Sequence, residues 1–255
     1  MKKNLIIDTS YVPEWMKEEI YMDIGYLTSD AMKYPSKDFK KIIILGLLIM
    51  ISFLIFPAFM VMGYVFRVIK WSIAGVEELP DFDEWGELFI DGLKIFVVEL
   101  VYFLVPSLIM FLGIWASIGS FISLSNSEST LAPAAVYSAF SVMSGLIILG
   151  MVVAIIFGVF FIIGVANMAY YNGELGAAFR FREIIDIIKA IGWVDFIIWY
   201  VMMILVAMAA GFIATFIGLM PILGWLVIIL VIYPYLYLLY ARAVGLLFVS
   251  GLEAL

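Results

Sequence analysis

Apolar residues gather in long unbroken runs along this chain. Each run holds 19 to 25 residues, which is the length that an α-helix needs to cross a bilayer core of roughly 30 Å. Strands of a membrane barrel would instead show stretches of about ten residues with alternating polarity. The pattern therefore predicts membrane helices over residues 42–66, 95–118, 146–166, 196–219 and 222–240.

The first run, residues 42–66, allows two interpretations. Lysines precede it, Arg67 follows it, and Pro57 lies within it. One interpretation is a single Pro-kinked span with the N-terminus outside. The other is a split at Pro57, with residues 42–56 and about 58–75 forming a short hairpin or re-entrant pair, because Pro interrupts a helix. Five or six membrane segments therefore remain open.

Three amphipathic stretches each precede an apolar run. Residues 82–94 place acids on one helical face and aromatic residues on the other, and residues 175–191 and 22–34 repeat this design. Helices of this kind lie in the membrane interface. The predicted fold class is an all-α membrane protein, a polytopic bundle of five to six segments with about three interfacial helices on the cytoplasmic side. Residues 1–21 are predicted to be a polar arm, and residues 22–255 a single membrane domain.

The composition supports this class and excludes several chemistries. Hydrophobic residues make up 66% of the 255 residues and charged residues 14%, against about half and a quarter in soluble domains. Because the chain has no Cys and no His, it lacks thiolate and imidazole chemistry. We expect no cofactor and no metal. With 21 acids, 14 bases and no basic patch, a nucleic-acid partner is not expected.

The positive charges between the runs predict the orientation. Residues 67–94, residues 172–195 and the C-terminus carry Lys or Arg, whereas residues 119–134 and 220–221 carry none. Because positive loops stay in the cytoplasm, the first three are predicted to be cytoplasmic and the last two external, in a multi-pass protein of the cell membrane.

The acidic and aromatic string LPDFDEWGELFIDGLK at residues 79–94 resembles that of a known family, as do Gly63-Tyr64 with Arg67-Val68-Ile69-Lys70 and the segment DAMKYP at residues 30–35. It is an uncharacterised, largely archaeal family of multi-pass membrane proteins, known only as a domain of unknown function. The resemblance covers roughly residues 22–250. It implies an integral membrane protein and supplies no activity, substrate or catalytic residue.

Four polar residues are candidates for an intramembrane or lipid-headgroup site. Glu99 is an acid inside an apolar run, where a charge costs roughly 2.5–3.5 kcal/mol at mid-bilayer, so it is either a proton or cation site or a snorkelling residue about 6 Å past the start of the run. Arg67 and Arg242 each end a run and would capture an anionic headgroup, pair with Glu99, or simply anchor the helix by snorkelling. Asn167, near the end of the third run, would hydrogen-bond across helices or to a ligand, or end its helix.

Two surfaces are candidates for partner contacts beyond the lipid bilayer. A candidate acidic docking face for a basic partner, or alternatively a solvated helix face, consists of Asp81, Asp83, Glu84, Glu87 and Asp91. Small residues that favour close helix packing, within the chain or between copies, are Ala207, Gly211, Thr215 and Gly218.

These features support three hypotheses of function. The first is a non-catalytic scaffold, assembly factor or accessory subunit of a membrane complex. The second is a small transporter or channel that uses Glu99 and the pair Arg67 and Arg242. The third is a lipid-handling membrane protein with carboxylates at the headgroup level. The sequence leaves enzymatic activity uncertain and favours its absence.

Overall fold

The structure is a computed structural model that describes residues 24–125 and 133–255. The predicted polar arm at residues 1–21, and residues 126–132 of the predicted outer loop, lie outside the described residues. The helices are α1 (Ile24–Lys33), α2 (Phe39–Met50), α3 (Ile55–Ile73), α4 (Trp85–Ser125), α5 (Pro133–Tyr170), α6 (Phe181–Ile191), α7 (Trp193–Gly218), α8 (Leu223–Val227) and α9 (Tyr233–Glu253). Short 3-10 helices at Tyr34–Lys37 and Leu175–Phe179 and a π-helical turn at Ile228–Ile232 complete the described part of the chain, in which there is no strand.

The described helices include five that are long and apolar enough to cross a membrane. They are Ile55–Ile73, Trp85–Gly119, Phe140–Tyr170, Trp193–Gly218 and Leu223–Glu253, the last joining α8, the π-helical turn and α9. In four of them no more than 28% of the most apolar stretch is buried inside the described part of the chain, as expected where lipid is the solvent. The prediction of an all-α membrane protein is confirmed.

The first apolar run consists of two helices. Helix α2 has 12 residues, residues 51–54 form a turn, and α3 follows with 19 residues. The break precedes Pro57 rather than falling on it, so that Pro57 lies in the first turn of α3. That position suits Pro, because a first-turn residue needs no N–H for the helix ladder.

The amphipathic stretches differ from one another in the structure. Residues 82–94 do not form a separate helix, because α4 begins at Trp85 and continues without a break through the apolar run to Ser125. Helices α1 and α6 are separate. The apolar stripe of α6 is buried at Ile184 and Ile188 because α6 packs against α9.

The chain divides into two compact units. Unit 1 contains the described residues up to Phe96 and Ile163–Leu255, and unit 2 is Val97–Ile162. In unit 2, α4 and α5 pack closely, with Phe161 against the ring of Tyr102 and Gly150 against Met110. In unit 1, a core of large side chains is fully buried, among them Tyr34, Tyr64, Phe66, Trp199, Phe196 and Phe248.

Candidate functional site

The acidic loop, residues 76–84, joins α3 to α4 in unit 1, and side chains from the surrounding helices bind its carbonyl oxygens one after another. The donors are Arg242 to Val76 O, Lys37 to Glu77 O, Tyr34 to Glu78 O, Lys41 to Leu79 O, Tyr64 to Pro80 O, and Arg67 to Asp81 O and Asp83 O, at 2.6–3.3 Å. A loop without regular structure needs partners for its main-chain acceptors. These side chains supply them, so the acidic loop is held in one conformation.

Arg67 is the central donor to the acidic loop. Its side chain is nearly buried, and Nη1 lies 2.5 Å from Asp83 Oδ1 while Nη2 lies 3.6 Å from Glu84 Oε2. A charged hydrogen bond of this kind is stronger than a neutral one. The guanidinium group of Arg67 is therefore directed into the acidic loop and its partners belong to the same unit.

Arg242 on α9 joins the first amphipathic helix to the acidic loop. Its Nε lies 2.8 Å from Asp30 Oδ2 on α1, and the side chain is only 6% exposed. The guanidinium also stacks over the ring of Tyr34, 5.0 Å from the centroid. Arg67 and Arg242 thus bind different acids, and each holds a different part of the acidic loop.

Asn167 near the end of α5 holds the segment that leads into α6. Its side chain is buried, and Nδ2 donates to Ala177 O at 2.9 Å and to Glu183 Oε2 at 3.2 Å. Of the alternatives given above, the contacts of Asn167 correspond to a hydrogen bond to neighbouring protein elements.

Asp91 lies between two lysines. Its carboxylate oxygens are 2.8 Å from Lys70 Nζ and 3.1 Å from Lys94 Nζ, and the residue is buried. A Cβ at Gly173, just after the end of α5, would lie 3.2 Å from Lys94 Nζ. Lys94 is thus near the C-terminus of α5, where the negative end of the helix dipole stabilises cations. Asp91 does not belong to an exposed face, in contrast to the expectation from its helical position.

Three junctions in unit 1 share one plan. A polar donor on a long helix binds an acid on an amphipathic segment: Lys70 of α3 binds Asp91, Asn167 of α5 binds Glu183, and Arg242 of α9 binds Asp30. Main-chain carbonyl oxygens are bound at two of these junctions as well. Arg67 binds Asp83 O, which precedes Asp91 in the chain, and Asn167 binds Ala177 O, which precedes Glu183. The donors that would serve a lipid or transport site are therefore used to join helices.

The remaining predicted acids have different surroundings. The side chains of Asp81, Asp83, Glu84 and Glu87 are exposed, although the first three pair with Lys41 or Arg67. A hydrogen bond and the charge of Lys41 lower the pKa of Asp81 below its usual value. Glu99 lies in unit 2 with its side chain exposed, and none of the ion pairs among the described residues includes it.

The small residues of α7 divide into two groups. A Cβ at Gly218 would touch Ile228 at 3.6 Å, so this residue packs inside the chain. Ala207, Gly211 and Thr215 are exposed, and a Cβ at Gly211 would meet no atom within 4 Å. The Thr215 hydroxyl donates to Gly211 O at 2.9 Å, so its hydrogen bond is made within α7.

Sequence reasoning missed the tyrosines and lysines of this region. Tyr34 and Tyr64 are fully buried and donate to the acidic loop, and burial raises the pKa of Tyr34 to about 12. Lys41 is the donor to Leu79 O and pairs with Asp81. In the sequence, a tyrosine that donates a buried hydrogen bond cannot be told from a tyrosine that only packs in the core. Its role is seen only from the hydrogen bond that its hydroxyl group makes.

A family model described as "Protein of unknown function (DUF4013)" matches residues 44–219, which confirms the resemblance to a family of unknown function. The match contains the acidic loop, α3, α6, α7 and the donors Arg67 and Asn167. No curated protein and no solved structure matches the chain.

Proposed function

The chain belongs to the family described as "Protein of unknown function (DUF4013)", and from its own contacts we propose that it is a non-catalytic scaffold, assembly factor or accessory subunit of a membrane complex. The protein is an integral membrane protein, and its described residues include five helices of spanning length. We propose that residues 67–94, residues 172–195 and the C-terminus face the cytoplasm, since the positive charges lie there.

One observation carries this proposal. The buried charged and amide side chains of unit 1 each bind an acid, a base or a carbonyl oxygen of the same unit; they are Arg67, Arg242, Asp91 and Asn167. Groups that are saturated by neighbouring protein stabilise a fixed architecture, whereas a substrate site needs groups that can exchange partners. This is the arrangement of a rigid framework.

A framework needs a surface for its partners, and the exposed part of α7 suits this role. At Ala207, Gly211 and Thr215, a second membrane helix can approach the backbone closely, which favours association in lipid. We propose that a membrane helix of a partner subunit packs here.

The experiment is purification of the full-length chain from its native membranes in a mild detergent, with quantification of stoichiometric partners. Gly211→Leu fills the exposed stripe without a clash inside the chain, because the Cβ position is open. Gly145→Leu is the matched control, since Gly145 on α5 is equally open. We expect a stoichiometric partner with the wild type and with Gly145→Leu, and its loss with Gly211→Leu.

A transporter is the second candidate, and the exposed carboxylate of Glu99 within an apolar helix is the observation that favours it. A partner-free particle in all three samples, together with a proteoliposome flux that Glu99→Gln abolishes, would replace the scaffold proposal by this one.

A further inference from the structure

The two ends of the α2–α3 hairpin bind the same residue of the acidic loop. Lys41 Nζ lies 2.8 Å from Asp81 Oδ1, and Arg67 Nη1 donates to Asp81 O at 3.3 Å. Because both side chains reach Asp81, the start of α2 and the Arg67 end of α3 lie at a similar level along the membrane normal. The hairpin therefore enters and leaves on the side of the acidic loop.

The two arms of the hairpin are too short to cross the bilayer from that level. Nine residues lead from Lys41 to Met50, which is about 14 Å at 1.5 Å per residue. Twelve residues lead from Ile55 to Arg67, which is about 18 Å on the same basis. The hydrocarbon core is roughly 30 Å thick, so the turn at residues 51–54 ends near its centre.

Helix α9 packs beside the hairpin, so the lengths of the two can be compared. In the second half of α2, Gly46 packs against the backbone of Leu230, and near the end of α3, Ile69 and Ser72 pack against Gly245. Helices α3 and α9 therefore run in the same direction, and Arg67 and Arg242 lie at corresponding positions. From Arg242 the chain extends back 19 residues to Leu223, about 28 Å, which is about 10 Å more than α3 provides.

The turn of the hairpin is apolar on its outside. Ile51, Phe53, Leu54, Ile55 and Phe56 are exposed, and Phe53 is the extreme case at 81%. The Ser52 hydroxyl donates to Leu48 O at 2.8 Å, and Pro57 carries no N–H. Such a surface is stable in hydrocarbon and unfavourable in water.

We propose that α2 and α3 form a re-entrant hairpin that enters only the leaflet on the side of the acidic loop, and that its apolar tip, residues 51–56, binds lipid acyl chains near the bilayer centre. The hairpin is then a one-leaflet anchor. Residues 38–41 and the acidic loop lie on the same face of the membrane, and α4, α5, α7 and the segment from Leu223 to Glu253 are the four full crossings.

The natural chain has no Cys, so single-Cys variants test this directly in sealed membrane vesicles with a membrane-impermeant maleimide. Lys40→Cys and Glu78→Cys are expected to react from one common face. Ile222→Cys, at the exposed α7–α8 turn, is expected to react from the opposite face. Phe53→Cys is expected to react roughly tenfold or more slowly than Ile222→Cys from either face, because the hydrocarbon core excludes polar reagents, and fully after denaturation in detergent.

Leu54→Cys repeats the tip measurement with an independent variant, because its side chain is also exposed and its loss removes few contacts. Reaction of Lys40→Cys and Glu78→Cys from opposite faces would overturn the proposal. Rapid reaction of both tip variants from the Ile222 face would do so as well, because the hairpin would then cross both leaflets.

Discussion

Arg67 Nη1 lies 2.5 Å from the carboxylate of Asp83 and 3.2 Å from the carbonyl oxygen of the same residue. One guanidinium group therefore holds both the side chain and the main chain of Asp83. The second nitrogen of the planar fork, Nη2, also lies 3.6 Å from Glu84 Oε2, whereas a lysine ammonium has a single nitrogen on a flexible stem. The contact fixes the last turn of the acidic loop directly before α4.

Arg67→Gln is expected to release the acidic loop. The loss of charged hydrogen bonds to two carbonyls and one carboxylate is worth roughly 1–3 kcal/mol of unfolding free energy, and Arg67→Lys should be intermediate. Thermal unfolding in detergent and the rate of limited proteolysis within residues 76–84 measure the effect. Asp83→Asn is the control: its side chain is 65% exposed, so a change below about 1 kcal/mol is expected. Equal proteolysis of Arg67→Gln and wild type would contradict the assigned role.

Asn167→Asp is expected to destabilise the protein more than Asn167→Leu at neutral pH. The aspartate would direct a negative charge at Ala177 O and Glu183 in a buried site, where the wild type has a donor. Unpaired buried charges cost more than a lost hydrogen bond. Acidification protonates the new carboxyl and restores a donor, so the melting temperature of Asn167→Asp, relative to wild type, should recover at about pH 4. No recovery would show that the donor is not what matters.

Gly63→Ala and Gly92→Ala are each expected to separate α3 from α4. A Cβ at Gly63 would overlap Leu88 O, and one at Gly92 would overlap Phe59 O. Backbone atoms cannot move aside as a flexible side chain does, so a loss of roughly 1–3 kcal/mol from overpacking is expected. Gly86→Ala on α4 is the matched control, because its Cβ position is open and Ala favours helix by roughly 0.5–1 kcal/mol. Denaturant titration of the three variants ranks them, and an equal effect at all three positions would refute the packing argument.

Tyr34→Phe is expected to change how stability depends on alkaline pH. Burial raises the pKa of Tyr34 from 10.0 to about 12, so the folded state binds the phenolic proton more tightly than the unfolded state. The stability that this gives is fully present below pH 10 and is lost as pH rises through 12. The wild type should therefore exceed Tyr34→Phe in melting temperature at pH 8, with a gap that narrows between pH 10 and 12. A constant gap would contradict this.

The helical membrane class followed from the sequence alone. A run of about 20 apolar residues has the length of a membrane-spanning helix, and in lipid a helix satisfies all of its own backbone hydrogen bonds. Hydrophobic periodicity is a short-range signal, and this explains two differences between the predicted and the observed helices. Residues 82–94 show a helical face, but nothing local indicates that α4 continues past Lys94 without a break. One interpretation of the sequence placed a break at Pro57, whereas the turn lies at residues 51–54. This apolar stretch carries little turn signal of its own, so its pattern did not indicate the position of the turn.

For the candidate site, the sequence likewise predicted some features, and the structure was needed for the others. Arg67, Arg242 and Asn167 were identified from the sequence because a polar residue beside an apolar run must find a partner. Their partners Asp83, Asp30 and Ala177 are set by helix packing, and Asp30 is 212 residues from Arg242. The residue pattern establishes that these polar groups exist and that they adjoin helices which lie in lipid. Their binding to one another follows from helix packing, since hydrogen bonds of this kind depend on distances that the local pattern does not encode.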